Sequence, residues 1–168
     1  MIKYIDKHCE GISFNQLSDG CSILIQPNSI EIYINKKLQF TQYKVNDGNP
    51  INIVRYQDLN LAVILGDDVL VPEIGRYLAC KKVDFVLCVD QNNQVNDLML
   101  GPWNMAQSNC MYVGYYSNDF LLFAPCDLTL NYCGQLEEGE LSRYNLDKAY
   151  RSFPILDSLN PILYEEQW

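Results

Sequence analysis

Apolar and polar positions alternate most clearly at IEIYIN, residues 30–35, where Ile30, Ile32 and Ile34 fall on one side and Glu31, Tyr33 and Asn35 on the other. A period of two predicts a half-buried strand. CSILIQ at 21–26 precedes it, with Pro27-Asn28 as turn chemistry between the two. KLQFTQYKV follows Asn35-Lys36 and can pair back as a hairpin, and Asp47-Gly48-Asn49-Pro50 then breaks the chain. INIVRY and LNLAVIL are the next two strands, joined at Gln57-Asp58. Residues 1–20 are weakly patterned and are read as a short helix and a loop.

The best specified element is a helix opening at Pro72. Proline suits a first helical position, because its missing N–H would have no partner there. Glu73 lies near the positive end of the helix dipole and Lys81-Lys82 near the negative end, while Ile74, Tyr77 and Leu78 share one face. DFVLCVD at 84–90 is a continuous apolar run, the mark of a strand buried on both faces. A shorter helix is predicted from Trp103 to about Cys110, then strands at MYVGYY and FLLFAP around a turn at Ser117-Asn118-Asp119. LTLNY continues the sheet, and LEEGELSRYNLD gives a turn at Gly139 and a last short strand. Residues 147–168 form a C-terminal helix and a strap ending in Trp168.

A strand–helix–strand unit implies a right-handed parallel crossover, and the hairpins imply antiparallel neighbours. The expected fold is therefore α+β (α/β), a mixed β-sheet covered by helices, in a single domain over residues 1–168. That length is enough to bury a core without staples.

Composition narrows the partners. The formal charge of −9 repels phosphate backbones, and only Lys36-Lys37 and Lys81-Lys82 break it, so nucleic acid is not expected. No apolar run reaches ~18 residues, so no membrane span is expected. Seven cysteines without a CxxC fit buried free thiols in a reducing compartment, and MIKYIDKHCEG lacks the apolar stretch of a secretion signal. A cytoplasmic location is expected. No cofactor is expected either. The one histidine, His8 beside Cys9, has no second ligand pair at zinc-finger spacing, so no metal site is expected.

The chemistry of interest lies in LAVILGDDVLVPEIG, residues 61–75. A strand that turns tightly into a helix lifts one side chain to the rim of a sheet, which is where many enzymes carry a nucleophile. Here the tip is Gly66. Asp67, Asp68 and Glu73 could in principle gather around a divalent cation, but the spacing is far from an EF-hand loop. The simpler reading is that Asp68 accepts backbone N–H bonds at the turn. Cys88 or Cys110 could be displaced nucleophiles, although a thiol among Val and Leu stays protonated and inert. The acidic run Glu137-Glu138 and Glu140 is read as a solvated turn. Trp103 could line a pocket or pack in the core.

The stretch resembles the nitrilase superfamily of carbon–nitrogen hydrolases. In that family a strand leads to Cys-Tyr-Asp and then to Phe-Pro-Glu at a helix start. Asp68 matches the family's Asp, and Pro72-Glu73 match its Pro-Glu. Ala79, the strand DFVLCV, Trp103, Asn109, Tyr112-Val113, FLLFAP and the closing GELSRYNLDKAYRSFPILDSLNPILY fall in the family's order over about residues 50–165. The resemblance implies an α-β-β-α sandwich that dimerises, with a Cys nucleophile, a Lys that stabilises the developing charge and a Glu that moves protons.

Each role is altered here. The nucleophile position falls on Gly66, and the next residue, a Tyr in the family, is Asp67. Lys44 in Tyr43-Lys44-Val45 is the possible remnant of the lysine; the alternative is an exposed strand-end lysine. Ser108 and Met105 replace an acid and an arginine of the family's next helix, and of the early glutamates neither Glu10 nor Glu31 lies in the expected context. The chain is expected to match the C-terminal half to two-thirds of that fold, truncated at the N-terminus.

The resulting expectation is a catalytically inactive nitrilase-like protein that acts by binding or association, with no catalytic residue. Asp67, Asp68 and Trp103 are its candidate ligand-binding residues, and the small-molecule ligand is unknown. A homo-oligomer, or a hetero-oligomer, would cover apolar surface left bare by a shorter fold. The alternatives are a working amidase or nitrilase with a nonstandard or partner-supplied nucleophile, and an unrelated α/β binding module.

Overall fold

The structure, a computed structural model, describes residues 5–6, 11–14, 21–56, 58–92, 95, 99–117, 120–124, 141 and 143–152. The first element group is an antiparallel meander: β1 (Ile5–Asp6), β2 (Gly11–Phe14), β3 (Cys21–Gln26), β4 (Ser29–Ile34) and β5 (Lys37–Tyr43), side by side in that order. The second sheet has the order β10-β9-β8-β7-β6, built from β6 (Ile53–Tyr56), β7 (Leu59–Leu65), β8 (Phe85–Val89), β9 (Tyr112–Ser117) and β10 (Phe120–Ala124). Strands β7, β8 and β9 are parallel, and β6 and β10 close the two edges antiparallel.

The expected mixed sheet is this second one. Helices α1 (Pro72–Cys80) and α2 (Asn104–Asn109) cover one of its faces, and the meander covers the other. Period-two alternation divides the two cores. Ala62 and Ile64 of β7, Val86 and Cys88 of β8 and Val113 of β9 join Ile74, Leu78 and Ala79 of α1 on the helix side. Leu61, Val63, Phe85, Leu87 and Tyr112 point the other way and meet Ile23, Ile30 and Ile32 of the meander. Burial on both faces explains why DFVLCV shows no alternation at all.

Turn chemistry follows the sequence closely. Asn35 and Lys36 both have positive φ, 52° and 64°, as the two-residue loop between β4 and β5 requires. Helix α1 begins at Pro72 and ends with Lys82 in the left-handed region, where the Val83 N–H donates to the Leu78 carbonyl at 3.0 Å.

Three expectations are corrected. Residues 5–6 and 11–14 are strands, not a helix and loop; Gly11–Ser13 pair with Leu24–Ser22, a long-range register that so short a segment cannot announce. The second helix starts at Asn104, preceded by a π-helical turn at Met99–Trp103. Residues 143–146 belong to α3 (Arg143–Ser152) and not to a last strand, because Leu146 and Ala149 bury at helical spacing against the inter-sheet core. LTLNY, Gly139, the glutamates at 137–140, Glu10, the His8-Cys9 pair and the strap after 152 lie outside the described residues.

Helix α3 is pinned by charge. The Arg143 guanidinium donates to both oxygens of Asp84, at 2.7 and 2.8 Å, and also to the Asp58 carbonyl. Asp84 is 2 % exposed and accepts the Asn60 N–H at 2.8 Å as well, so one carboxylate ties α3 to the starts of β7 and β8. No described helix is long and apolar enough to cross a membrane.

Candidate functional site

At the carboxyl end of β7 the chain turns through a 3₁₀ segment, Gly66–Leu70, into α1. Gly66 has φ 54°, a left-handed conformation that costs an L side chain about 1–2 kcal/mol. The turn is held by Asp68, which is 0 % exposed. Its Oδ2 accepts the Val45 N–H at 2.8 Å and the Leu65 N–H at 3.3 Å, and its Oδ1 accepts the Asn46 N–H at 3.0 Å. Burial pushes the Asp68 carboxyl up from its ordinary value; the three backbone donors and the Lys44 charge pull the other way without cancelling it. Asp68 therefore does what its place at the turn suggests, and it also fixes the loop after β5.

That loop carries Lys44. Its Nζ stands 2.6 Å from Asp67 Oδ1, and this bond, ahead of the burial that opposes it, holds the ammonium above the usual lysine range. The loop is braced from below by Gln42, fully buried, whose Nε2 donates to the carbonyls of Tyr43 and Pro50 and whose Oε1 accepts from Asn52.

A cleft of about 260 Å³ opens beside Gly66. Leu65, Gly66 and Val89 form its floor at the carboxyl ends of the parallel strands, the position at which open α/β sheets bind ligands. The β3–β4 turn contributes Pro27 and Asn28 from the meander side, and β4 contributes Ile30. Lys44 and Asp47 enter from the loop after β5, and Gln91 and Asn92 from the segment after β8. Gln91 Nε2 donates to the Gln26 carbonyl at 2.7 Å, bridging the two sheets at the rim. Beneath, Asp90 accepts the Val95 N–H and the Tyr115 hydroxyl, each at 2.8 Å, which anchors the segment that carries Gln91.

The structure thus brings Lys44, Gly66, Asp67 and Asp68 close together, and of these four Lys44 and Gly66 line the cleft while Asp67 and Asp68 do not. Lys44, just past the end of β5, lines the cleft. Trp103 lies elsewhere, 3 % exposed in the helix-side core, and does not line the cleft. Glu73 is exposed on α1, and among the described residues no three His, Cys, Asp or Glu side chains converge as a metal group would need. Glu31 accepts the Tyr33 hydroxyl at 2.6 Å on β4 and is not a cleft residue.

The thiols are similarly placed. Cys88 is enclosed behind the tip, its Sγ donating to the Gly66 carbonyl at 3.4 Å, and burial pushes its pKa well up, helped by Asp90, Asp68 and Asp67. Cys110, also buried, is raised by burial too. Asp47, Gln91 and Asn28 were not singled out from the sequence. Asp47-Gly48 and Pro27-Asn28 carried a turn signal only, and nothing local shows that these turns meet over one strand end.

No protein-family model matches this sequence, and no curated protein does. Solved structures give a likeness of fold, among them several of an amidase from Nesterenkonia sp. AN1. A mutant of the Nesterenkonia AN1 amidase, from the nitrilase superfamily, aligns with a TM-score of 0.54 at 14% identity, covering 82% of this chain and 66% of that one. A cysteine-to-alanine mutant of the amidase from Nesterenkonia sp. AN1 in complex with butyramide aligns with a TM-score of 0.51 at 13% identity, covering 62% of this chain. In that alignment the chain spans about half of the amidase, 52% of its length. A further structure of that amidase shows the acetamide moiety of fluoroacetamide added covalently at the active-site cysteine, again with a TM-score of 0.51. The structural neighbours are nitrilase-superfamily amidases, and what is shared at this identity is the fold.

Proposed function

We propose that this chain is a degenerate member of the nitrilase superfamily whose cleft holds a small molecule without cleaving it. One observation carries this reading: the strand-to-helix tip opens on a cleft and is a glycine. The amidase of similar fold forms its adduct at a cysteine. Gly66 offers no atom for such a bond, and the described cleft residues include no cysteine. The one described thiol that touches the tip is Cys88, buried and kept protonated, facing the carbonyl side of Gly66. Without a nucleophile the two-step covalent route has no first step.

The second reading, a carbon–nitrogen hydrolase with a nonstandard or partner-supplied nucleophile, draws on Lys44, which still lines the cleft and stays charged. Ammonia release from a panel of amides and nitriles, with intact-mass spectrometry on the same samples, separates the two. The first reading expects no ammonia above the blank and no mass adduct. Turnover, or an acylated residue, overturns it.

Self-association belongs to the same proposal. Leu70 and Leu100 stand 41% and 66% exposed on adjoining turns, the first of which begins at Gly66. Sedimentation velocity reads the oligomeric state directly; a strict monomer at high concentration removes this part.

A further inference from the structure

The charges around the cleft say which kind of small molecule it takes, if it binds one as proposed above. Lys44 is the one cation among the described cleft residues, and Asp67 already neutralises it at 2.6 Å. Asp47 remains on the rim as a carboxylate. Among the described groups, Lys44 at +1 is outweighed by Asp67 and Asp47 at −1 each, and the buried Asp68 beside them adds no positive charge, so the local sum is no higher than −1. The whole chain, at −9, adds a field of the same sign. Asn28, Gln91 and Asn92 add neutral amides, and Ile30, Leu65 and Val89 add an apolar wall.

An anionic ligand would have to displace Asp67 from Lys44 and then lie near the released Asp67 carboxylate and near Asp47. A cation meets no such obstacle. It can place its charge toward Asp47 and its chain on the apolar wall. The volume, about 260 Å³, lies just below the roughly 300–1,000 Å³ of drug-sized sites, so the ligand has few heavy atoms.

We infer that the Gly66 cleft selects small organic cations, such as a primary ammonium on a short aliphatic chain, and that the Lys44–Asp67 pair acts as a filter against carboxylates.

The test uses three four-carbon probes of nearly equal shape: butylammonium, butyramide and butyrate. Titration of the full chain followed by ligand-observed NMR at low salt should rank them in that order, with at least a tenfold gap between butylammonium and butyrate. Asp47→Asn should reduce that gap several-fold. Asp67→Asn, which frees the Lys44 ammonium, should raise butyrate affinity and narrow the gap from the other side. Butyrate binding as well as butylammonium, binding of none of the three, or a gap unchanged in both variants overturns the inference. The wild-type ranking decides alone should a variant not fold. Hydrolysis of butyramide would instead sink the non-cleaving reading, and leaves the charge ranking to be judged separately.

Discussion

Replacing Asp68 with alanine should unfasten the site and much of the fold's stability together. The side chain is fully enclosed and serves three backbone N–H groups, those of Val45, Asn46 and Leu65. Alanine leaves all three without an acceptor; the Val45 donor is buried, while those of Asn46 and Leu65 are part-buried and can be partly rehydrated. An abandoned buried donor costs about 1–3 kcal/mol, and the Leu65 bond at 3.3 Å belongs at the low end. Part of the loss is offset, because an enclosed carboxylate is itself costly to desolvate. The net expectation is roughly 3–5 kcal/mol, a third or more of what an ordinary domain has. With a urea slope of about 2 kcal/mol/M, the unfolding midpoint should fall by about 1.5–2.5 M. Asp68→Asn keeps one acceptor and should lose about half as much.

The pH dependence sharpens the comparison. Asp68 has a folded pKa raised above the ordinary value of 3.8, chiefly by burial. Its titration therefore contributes stability that is full below the unfolded pKa and is lost as pH rises through the raised folded one. The margin of wild type over Asp68→Asn should thus be widest below about pH 4 and shrink above it. A loss under 1 kcal/mol for Asp68→Ala, or a margin that widens with rising pH, would refute the account of this turn.

Two further substitutions probe other links. Arg143→Met should destabilise by about 1–3 kcal/mol, reduced from the buried-pair figure because the arginine is 40% exposed, and should speed amide exchange in α3; Arg143→Lys should recover about half, since it keeps charge but not the two-pronged bond. Chemical denaturation that shows no change would mean α3 does not depend on Asp84. Gly66→Cys should cost about 1–2 kcal/mol at its positive φ, and should create a thiol that iodoacetamide alkylates faster than Cys21, Cys88 or Cys110, all raised by burial, with Cys21 at about 11. Peptide mapping that finds the introduced thiol as inert as Cys88 would show that the cleft does not reach the tip.

Much of the fold was legible because its signals are local. Ile30 and Ile32 alternate with polar neighbours and are buried as that pattern requires. Pro72, Ile74 and Leu78 define α1 within one short stretch, and the crossover from β7 to β8 is parallel. The strand–turn–helix pattern of residues 61–73 marks Gly66 as the tip, and the structure has Gly66 at the carboxyl end of β7, at the start of the turn into α1. What was not legible is long-range. Strands β1 and β2 owe their conformation to pairing with β3, and Arg143 starts a helix where it can reach Asp84, 59 residues away in sequence. Asp47, Gln91 and Asn28 share a cleft because two sheets stack, and hydrophobic periodicity does not encode which turns will meet.

The Gln91–Gln26 bridge and the cleft beside it straddle the seam between the layers. A guest lodged there touches the hairpin of one sheet and the strand ends of the other, so it acts as a clasp. Its binding free energy adds to the cohesion of the two layers, by RT ln(1 + [L]/Kd). If the cleft binds as proposed, occupancy and sheet-to-sheet docking are one coupled equilibrium, and loosening the meander would weaken binding.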